Sequence, residues 1–123
     1  MTFNLDEIIK EGIVSKEEWD QYLEVIQQTE LYIYTDQLGK YAIFTADGTD
    51  VILAYTNKEA ADGFADYVLE TISHDELLEV AEHMKVSVVI NPGIHCVIED
   101  PNGVRSMADI DIDGVFFKEF ADI

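Results

Sequence analysis

Basic residues are scarce in this chain. It contains 7 Lys and Arg against 26 Asp and Glu, so its formal net charge is -19 over 123 residues. Because proteins bind nucleic acids largely through Lys and Arg at the phosphates, this composition disfavours DNA and RNA as partners. Anionic membrane surfaces are disfavoured for the same reason. A surface of one sign attracts the opposite sign, so we expect a basic protein as the partner.

Cysteine, targeting signals and long apolar runs are also lacking. Cys96 is the single cysteine, so no internal disulfide can form. The first ten residues do not combine a basic region with an apolar stretch and a cleavage site, as a secretory signal would. No apolar run approaches the roughly 20 residues of a membrane-spanning helix. We therefore expect a cytoplasmic protein.

The apolar content is nevertheless sufficient for a core. Hydrophobic residues make up 48% of the chain and aromatic residues 11%, which is unlike acidic disordered segments. The length suits one domain, and no linker or repeat divides residues 1–123. We expect a single folded domain that carries its negative charge on the surface.

Four stretches combine a helix-capping residue with a Glu three positions later, an arrangement in which each side chain can satisfy a free backbone N–H. They are Asn4 with Glu7, Ser15 with Glu18, Thr56 with Glu59, and Ser73 with Glu76. Apolar residues follow each start at helical spacing. The sequence thus predicts two N-terminal helices and two further helices, the third of them running through Ala61 and Val68.

Strand signals lie between the helices. Predicted strands cover residues 31–35, 41–45, 51–55, 86–90, 96–99 and 104–107, and 67–72 fits either a helix end or a short strand. Asp47-Gly48 is a strong hairpin signal, because both turn residues need positive φ. The apolar run at 86–90 is typical of a strand buried on both faces. Together these elements predict an α+β fold, a mixed β-sheet with the helices packed on it.

Two stretches carry a resemblance to a known family. One is the strand and capped helix start Ile52-Leu53-Ala54-Tyr55-Thr56-Asn57-Lys58-Glu59-Ala60, and the other is Val88-Val89-Ile90-Asn91-Pro92-Gly93. They resemble the N-terminal domain of the bacterial SseB (enhanced serine sensitivity) family over residues 31–99. The helical segment 4–28 and the acidic tail 109–123 lie outside the match, and we expect no counterpart of the family's usual C-terminal domain. The resemblance implies a stand-alone SseB-like fold and an interaction module, with no catalytic residues to carry over.

Asn91 and Gly93 are candidate binding residues within the second stretch. Pro92 fixes φ at one turn position, and Gly93 can supply the positive φ of a type II turn. The turn either joins two strands or presents backbone groups for binding at the end of the sheet.

The acidic, aromatic tail offers further candidates. Phe116, Phe117 and Phe120 either dock on the sheet as a last strand or helix, or form an exposed anchor beside negative charge. Asp109, Asp111 and Asp113 alternate before Gly114, as in the opening of a calcium loop. The bidentate Glu of that loop is missing, since its position holds Phe120. A strand in which Ile110 and Ile112 face the core and the three Asp face water explains the pattern equally well.

Nothing in the sequence predicts an enzyme. His95 and Cys96 are neighbours in a strand, so their side chains point to opposite faces, and Cys96 suits the core. His74 and His83 are too far apart to share one face of a helix. We therefore expect no catalytic residue, no cofactor and no metal beyond the weak calcium candidate.

Three functions remain open. The first is a non-enzymatic SseB-like domain that binds a basic protein, at a surface formed by the tail and the Asn91 turn. The second is an immunity protein that neutralises a basic bacterial toxin such as a nuclease. The third is a weak calcium- or small-ligand-binding domain.

Overall fold

The computed structural model describes residues 4–59, 61, 67–92, 95–100, 103–108 and 110–119. Within this part of the chain the fold is α+β, with three helices and one mixed sheet of eight strands. The helices are α1 (Leu5–Glu11), α2 (Lys16–Ile26) and α3 (His74–Met84). The strands are β1 (Glu30–Thr35), β2 (Tyr41–Ala46), β3 (Thr49–Tyr55), β4 (Val68–Ser73), β5 (Ser87–Ile90), β6 (His95–Asp100), β7 (Gly103–Ala108) and β8 (Ile112–Lys118).

The centre of the sheet is the parallel pair β3–β5, and every other pairing is antiparallel. On one side, β5 continues through β6 to β7. On the other side the sheet divides, because β3 pairs with β2 near its start and with β1 near its end. β4 adds to β1, and β8 adds to the outer side of β2. β7 and β8 therefore lie on opposite sides of the sheet centre.

Each face of the sheet carries its own apolar core. The three helices cover one face, where Tyr22, Ile52 and Leu77 belong to the same buried cluster. The other face buries Phe44, Leu53 and other side chains that alternate along the strands with those of the first core. β5 contributes Val88 and Ile90 to the first core and Val89 to the second. The predicted strand buried on both faces is confirmed, since all three side chains are 0% exposed.

The predicted caps are confirmed at three of the four helix starts. The Asn4, Ser15 and Ser73 side chains each accept a hydrogen bond from the backbone N–H three residues later. At Ser15 the reciprocal contact from Glu18 completes the capping box. Gly12 ends α1 at a φ of 93°, a conformation that a residue with a Cβ adopts only with strain.

The prediction of two further helices is wrong for one of them in the described part of the chain. Residues 56–59 form bends and a turn, and Val68, which we assigned to the end of the third helix, begins β4. The Thr56 hydroxyl contacts Asp6 and Asn91, so it does not cap a helix at Glu59. The ambiguous segment 67–72 belongs largely to a strand. Residues 60 and 62–66 lie outside the described residues.

The predicted Asp47-Gly48 hairpin is confirmed, and β6 and β7 also form an antiparallel pair. Asp47 and Gly48 take φ values of 50° and 79° between β2 and β3. Asp100 pairs with Gly103 where β6 turns into β7. No helix in the described ranges is long and apolar enough to cross a membrane.

Candidate functional site

The tail forms an edge strand with exposed apolar side chains. β8 pairs with β2 along its whole length, with Lys118 opposite Tyr41 at one end and Ile112 opposite Ala46 at the other. The tail therefore docks as a last strand. Phe117 is half-buried and packs edge to face on Tyr67, with ring centroids 5.3 Å apart. Phe116 points to the opposite face and remains 42% exposed. Each of the two tail hypotheses thus describes one residue: Phe117 packs on the sheet, whereas Phe116 is exposed.

Acidic side chains lie along the same edge. Asp111 and Asp113 are both exposed, directly before and within β8. Val115 is also 40% exposed, on the face of the strand opposite to Phe116. We call Asp111, Asp113, Val115 and Phe116 the β8 surface. Asp109 and Phe120, the other tail candidates, lie outside the described residues.

The alternation predicted for the tail is only partly correct. Ile110 is buried against the second core, but Ile112 is 38% exposed. A register shift in the β2–β8 ladder at Thr45 and Ala46 accounts for the difference. Across this shift the ladder passes from Gly114 to Ile112, so the period-2 pattern is interrupted within β8, at Asp113.

Asp109, the first residue of the calcium candidate, lies outside the described residues. Among those that are described, no three His, Cys, Asp or Glu side chains lie close enough to hold a metal ion. Asp111 and Asp113 therefore do not converge with a third such ligand from the rest of the described chain.

Asn91 lies in a polar network at the carboxyl ends of the parallel strands. It takes a left-handed φ of 54° directly after β5. Its side-chain oxygen accepts the N–H of Thr56, which follows β3, at 2.9 Å. Its side-chain nitrogen donates to the Thr56 hydroxyl at 2.9 Å, and that hydroxyl donates to Asp6 of α1. Asn57 donates to the other Asp6 oxygen at 3.0 Å.

This network changes the interpretation of the Asn91 turn. We expected Gly93 to supply the positive φ, whereas Asn91 adopts one itself, and Gly93 lies outside the described residues. The Asn91 side chain reaches Thr56, which follows the neighbouring parallel strand β3. The network also brings together the two stretches that carry the SseB resemblance, because they end neighbouring parallel strands. Its described contacts are internal, so it fixes α1 to the sheet.

A buried charged cluster lies beneath the helices, and we did not predict it. The Nε2 of His74, the first residue of α3, is 2.9 and 3.0 Å from the two carboxylate oxygens of Glu99 in β6. The Tyr22 hydroxyl donates to the same carboxylate at 3.2 Å. The His74 and Glu99 side chains are only 4% and 5% exposed.

The chemistry of the cluster follows from its donors and acceptor. A carboxylate only accepts hydrogen bonds, so the close contact requires a hydrogen on His74 Nε2. The Nδ1 of His74 has no hydrogen-bond partner in the described residues. Burial, and then the negative charge of Glu99, raise the pKa of Tyr22 far above its usual range. The phenol therefore stays protonated and acts as a donor.

Glu99 also lines a cleft between α3 and the β6–β7 hairpin. The cleft has a volume of about 680 Å³ and includes Leu78 and Ala81 of α3 and Val104 of β7 in its walls. Volumes of 300 to 1,000 Å³ with mostly apolar walls and few polar groups are typical of small-molecule sites. Both the cluster and the cleft depend on contacts between residues far apart in the sequence, such as Tyr22 and Glu99.

The remaining histidine and cysteine candidates lie as expected. Cys96 is fully buried in the second core. His95 lies on the other side of the strand, where its Nδ1 contacts the Lys10 carbonyl at 2.8 Å. The two neighbours therefore do not form a thiol–imidazole pair.

Comparisons with protein-family models, with curated proteins and with solved structures found no match to this chain. The SseB resemblance stays a prediction, and the function has to be argued from the site itself.

Proposed function

We propose that this chain is a non-enzymatic, SseB-like domain of the bacterial cytoplasm that binds a basic protein through the β8 surface. The observation that carries the proposal is an edge strand that carries exposed Phe116 on one face, exposed Val115 on the other, and exposed Asp111 and Asp113 towards its start. An aromatic anchor beside charged residues is a common composition for a protein-binding hot spot.

The free edge of β8 adds to this argument. In the described part of the chain β8 pairs only with β2, so its other edge presents unpaired backbone groups. Such an edge can accept a strand from another protein, with main-chain hydrogen bonds giving affinity and side chains giving specificity. Proteins commonly protect exposed edges with charge, and the carboxylates here would select against acidic partners.

Charge strengthens the preference for a basic partner. Even if each of the 7 Lys and Arg paired with one carboxylate, most of the 26 acidic residues would lack a cation. At the C-terminal end of β8, Lys40 and Glu119 form an ion pair at 3.9 Å, whereas no Lys or Arg of the described residues forms an ion pair with Asp111 or Asp113. Complementary charge would mainly accelerate association, so the on-rate should fall as salt increases.

The test starts with an affinity pull-down from host lysate, with salt elution and identification by mass spectrometry. The released protein is then purified, and its binding is measured with Phe116→Ser. Burial of a Phe side chain is worth roughly 1.5–3 kcal/mol, so we expect binding to weaken by about tenfold or more. Val14→Ser is the matched control, because Val14 is 89% exposed and lies outside the β8 surface.

The outcomes separate the candidate roles. Equal binding by wild type and Phe116→Ser would rule out the β8 surface, and no salt-released basic protein would contradict the proposal itself. The immunity hypothesis is the narrower form of the same idea. It requires the partner to be a toxin, and co-expression must rescue growth through a surface that includes Phe116.

A further inference from the structure

The cleft between α3 and the β6–β7 hairpin is a second candidate site, separate from the β8 surface. Four strands of the sheet, β2, β3, β5 and β6, lie between β8 and β7. The volume of about 680 Å³ suits a small organic molecule better than a bare ion. Nothing in the binding of a basic protein at β8 accounts for it.

The cleft combines apolar walls with a preorganised anion. Leu78 and Ala81 come from one side and Val104 from the other, while the nearly buried Glu99 supplies the carboxylate. His74 and Tyr22 hold that carboxylate in place from the protein side. A carboxylate offers about four acceptor positions, so these two donors leave capacity for a further one.

The other charged groups in the lining favour a cation. Asp100 is paired with Arg105 at 2.8 Å, so this carboxylate is already compensated. Glu82 and Lys85 also line the cleft, and both are exposed. Glu99 is therefore the buried carboxylate of the lining, and its ion-pair partner is His74 rather than a Lys or Arg. An anionic ligand would meet repulsion there, whereas an ammonium group would form a charge-assisted hydrogen bond.

We propose that this cleft binds a small organic amine, with its apolar body between α3 and β7 and its ammonium group on the Glu99 carboxylate. The apolar body would exclude water from the ammonium–carboxylate contact, which strengthens that contact. Glu99 thus acts as a binding residue, and His74 and Tyr22 act as positioning residues.

The test is a titration of the ¹⁵N-labelled protein with phenethylamine in 150 mM NaCl, followed by amide chemical shifts. We expect saturable shifts centred on the cleft, at residues such as Ala81 and Val104. A hydrogen bond to a charged group is worth about 1.5–3 kcal/mol, which corresponds to roughly tenfold or more in affinity. The neutral analogue 2-phenylethanol should therefore bind at least tenfold more weakly, and 3-phenylpropionate should bind more weakly still.

Variants distinguish amine binding in the cleft from nonspecific attraction of the amine to an acidic protein. Val104→Trp should occupy the cleft and abolish the shifts while keeping the Glu99 carboxylate, which lies directly opposite position 104 in the β6–β7 ladder. Glu99→Gln should weaken binding at least tenfold, whereas Glu24→Gln, which removes one exposed charge from α2, should change nothing.

Three results would overturn the proposal. They are shifts that spread over the acidic surface without saturating, shifts that survive Val104→Trp, and equal affinity for the amine and the alcohol. If Glu99→Gln does not fold, Val104→Trp and the comparison of the three ligands still test whether the amine binds in the cleft.

Discussion

The His74–Glu99 pair should be strongly coupled in folding. The two side chains are 4% and 5% exposed, so water compensates either group only weakly when its partner is removed. In His74→Leu, Glu99 keeps Tyr22 as its hydrogen-bond donor within the cluster. Breaking a buried pair in this way costs about 3–5 kcal/mol. A domain of this size has a stability of about 6–18 kcal/mol, so the loss is a large fraction of the total.

The reverse substitution leaves donors instead of an acceptor unpaired. In Glu99→Met both the His74 Nε2–H and the Tyr22 hydroxyl lose their acceptor. Each unpaired buried donor costs about 1–3 kcal/mol, so we expect a loss of about 2–6 kcal/mol. In the double variant, which combines His74→Leu with Glu99→Met, only the Tyr22 hydroxyl remains unpaired. We expect it to lose about 1–3 kcal/mol of unfolding free energy. Adding Tyr22→Phe should recover most of that loss, because no polar group of the cluster is then left.

Urea unfolding followed by fluorescence measures these losses. Trp19 is the single tryptophan, and it packs edge to face on Tyr22 with ring centroids 5.6 Å apart. Urea is preferable to guanidinium chloride, because a salt would screen the repulsion within a chain of net charge -19. If the double variant loses the sum of the two single losses, the cluster is not a coupled unit. A loss below about 1 kcal/mol in His74→Leu would equally refute the reasoning, given the cost expected for a broken buried pair.

Three further predictions concern other parts of the molecule. Asn91→Ala should lower stability by about 1–3 kcal/mol, because it removes two hydrogen bonds to Thr56 and places a Cβ residue without a polar side chain at positive φ. Asn91→Gly keeps the backbone freedom and should lose less, and equal losses in thermal melts would contradict the strain argument. Hydrogen bonds from the backbone N–H of Val14 and then from the Ser15 hydroxyl lower the pKa of Glu18. The ionised Glu18 therefore stabilises the fold above the ordinary pKa of a glutamate, and this stabilisation is lost as the pH falls through the lowered pKa. Glu18→Gln should therefore flatten the acid side of the stability curve, and an unchanged curve would count against the capping box. CaCl2 and MgCl2 at equal ionic strength should raise the melting temperature equally through screening, whereas a larger rise with calcium that Asp111→Asn removes would restore the calcium loop.

The sequence predicted the elements that local chemistry determines. The caps at Asn4, Ser15 and Ser73 act within three residues, and the Asp47-Gly48 turn depends on two adjacent φ angles. The apolar run of β5 required only the composition of one segment. These features do not need knowledge of which elements meet in space.

In the described residues the third predicted helix does not begin at Thr56, because a distant contact competes with the local one. Thr56 and Glu59 have the spacing of a capping box, but the Thr56 hydroxyl bonds to Asp6 and Asn91 instead. Asn91 lies 35 positions further along the chain from Thr56. A local pattern cannot reveal that a neighbouring parallel strand ends beside it.

The buried cluster shows how much of a site a sequence can indicate. The apolar run from Cys96 to Glu99 predicts a strand, and Glu99 shares its parity with Val97, which is buried under the helices. A carboxylate in phase with core positions has to find a polar partner, since an unpaired buried charge is too costly to keep. Parity therefore identifies Glu99 as a buried acid that requires a donor. It does not identify His74 or Tyr22, because they lie 25 and 77 positions away and only the packing of α2 and α3 on the sheet brings them to it.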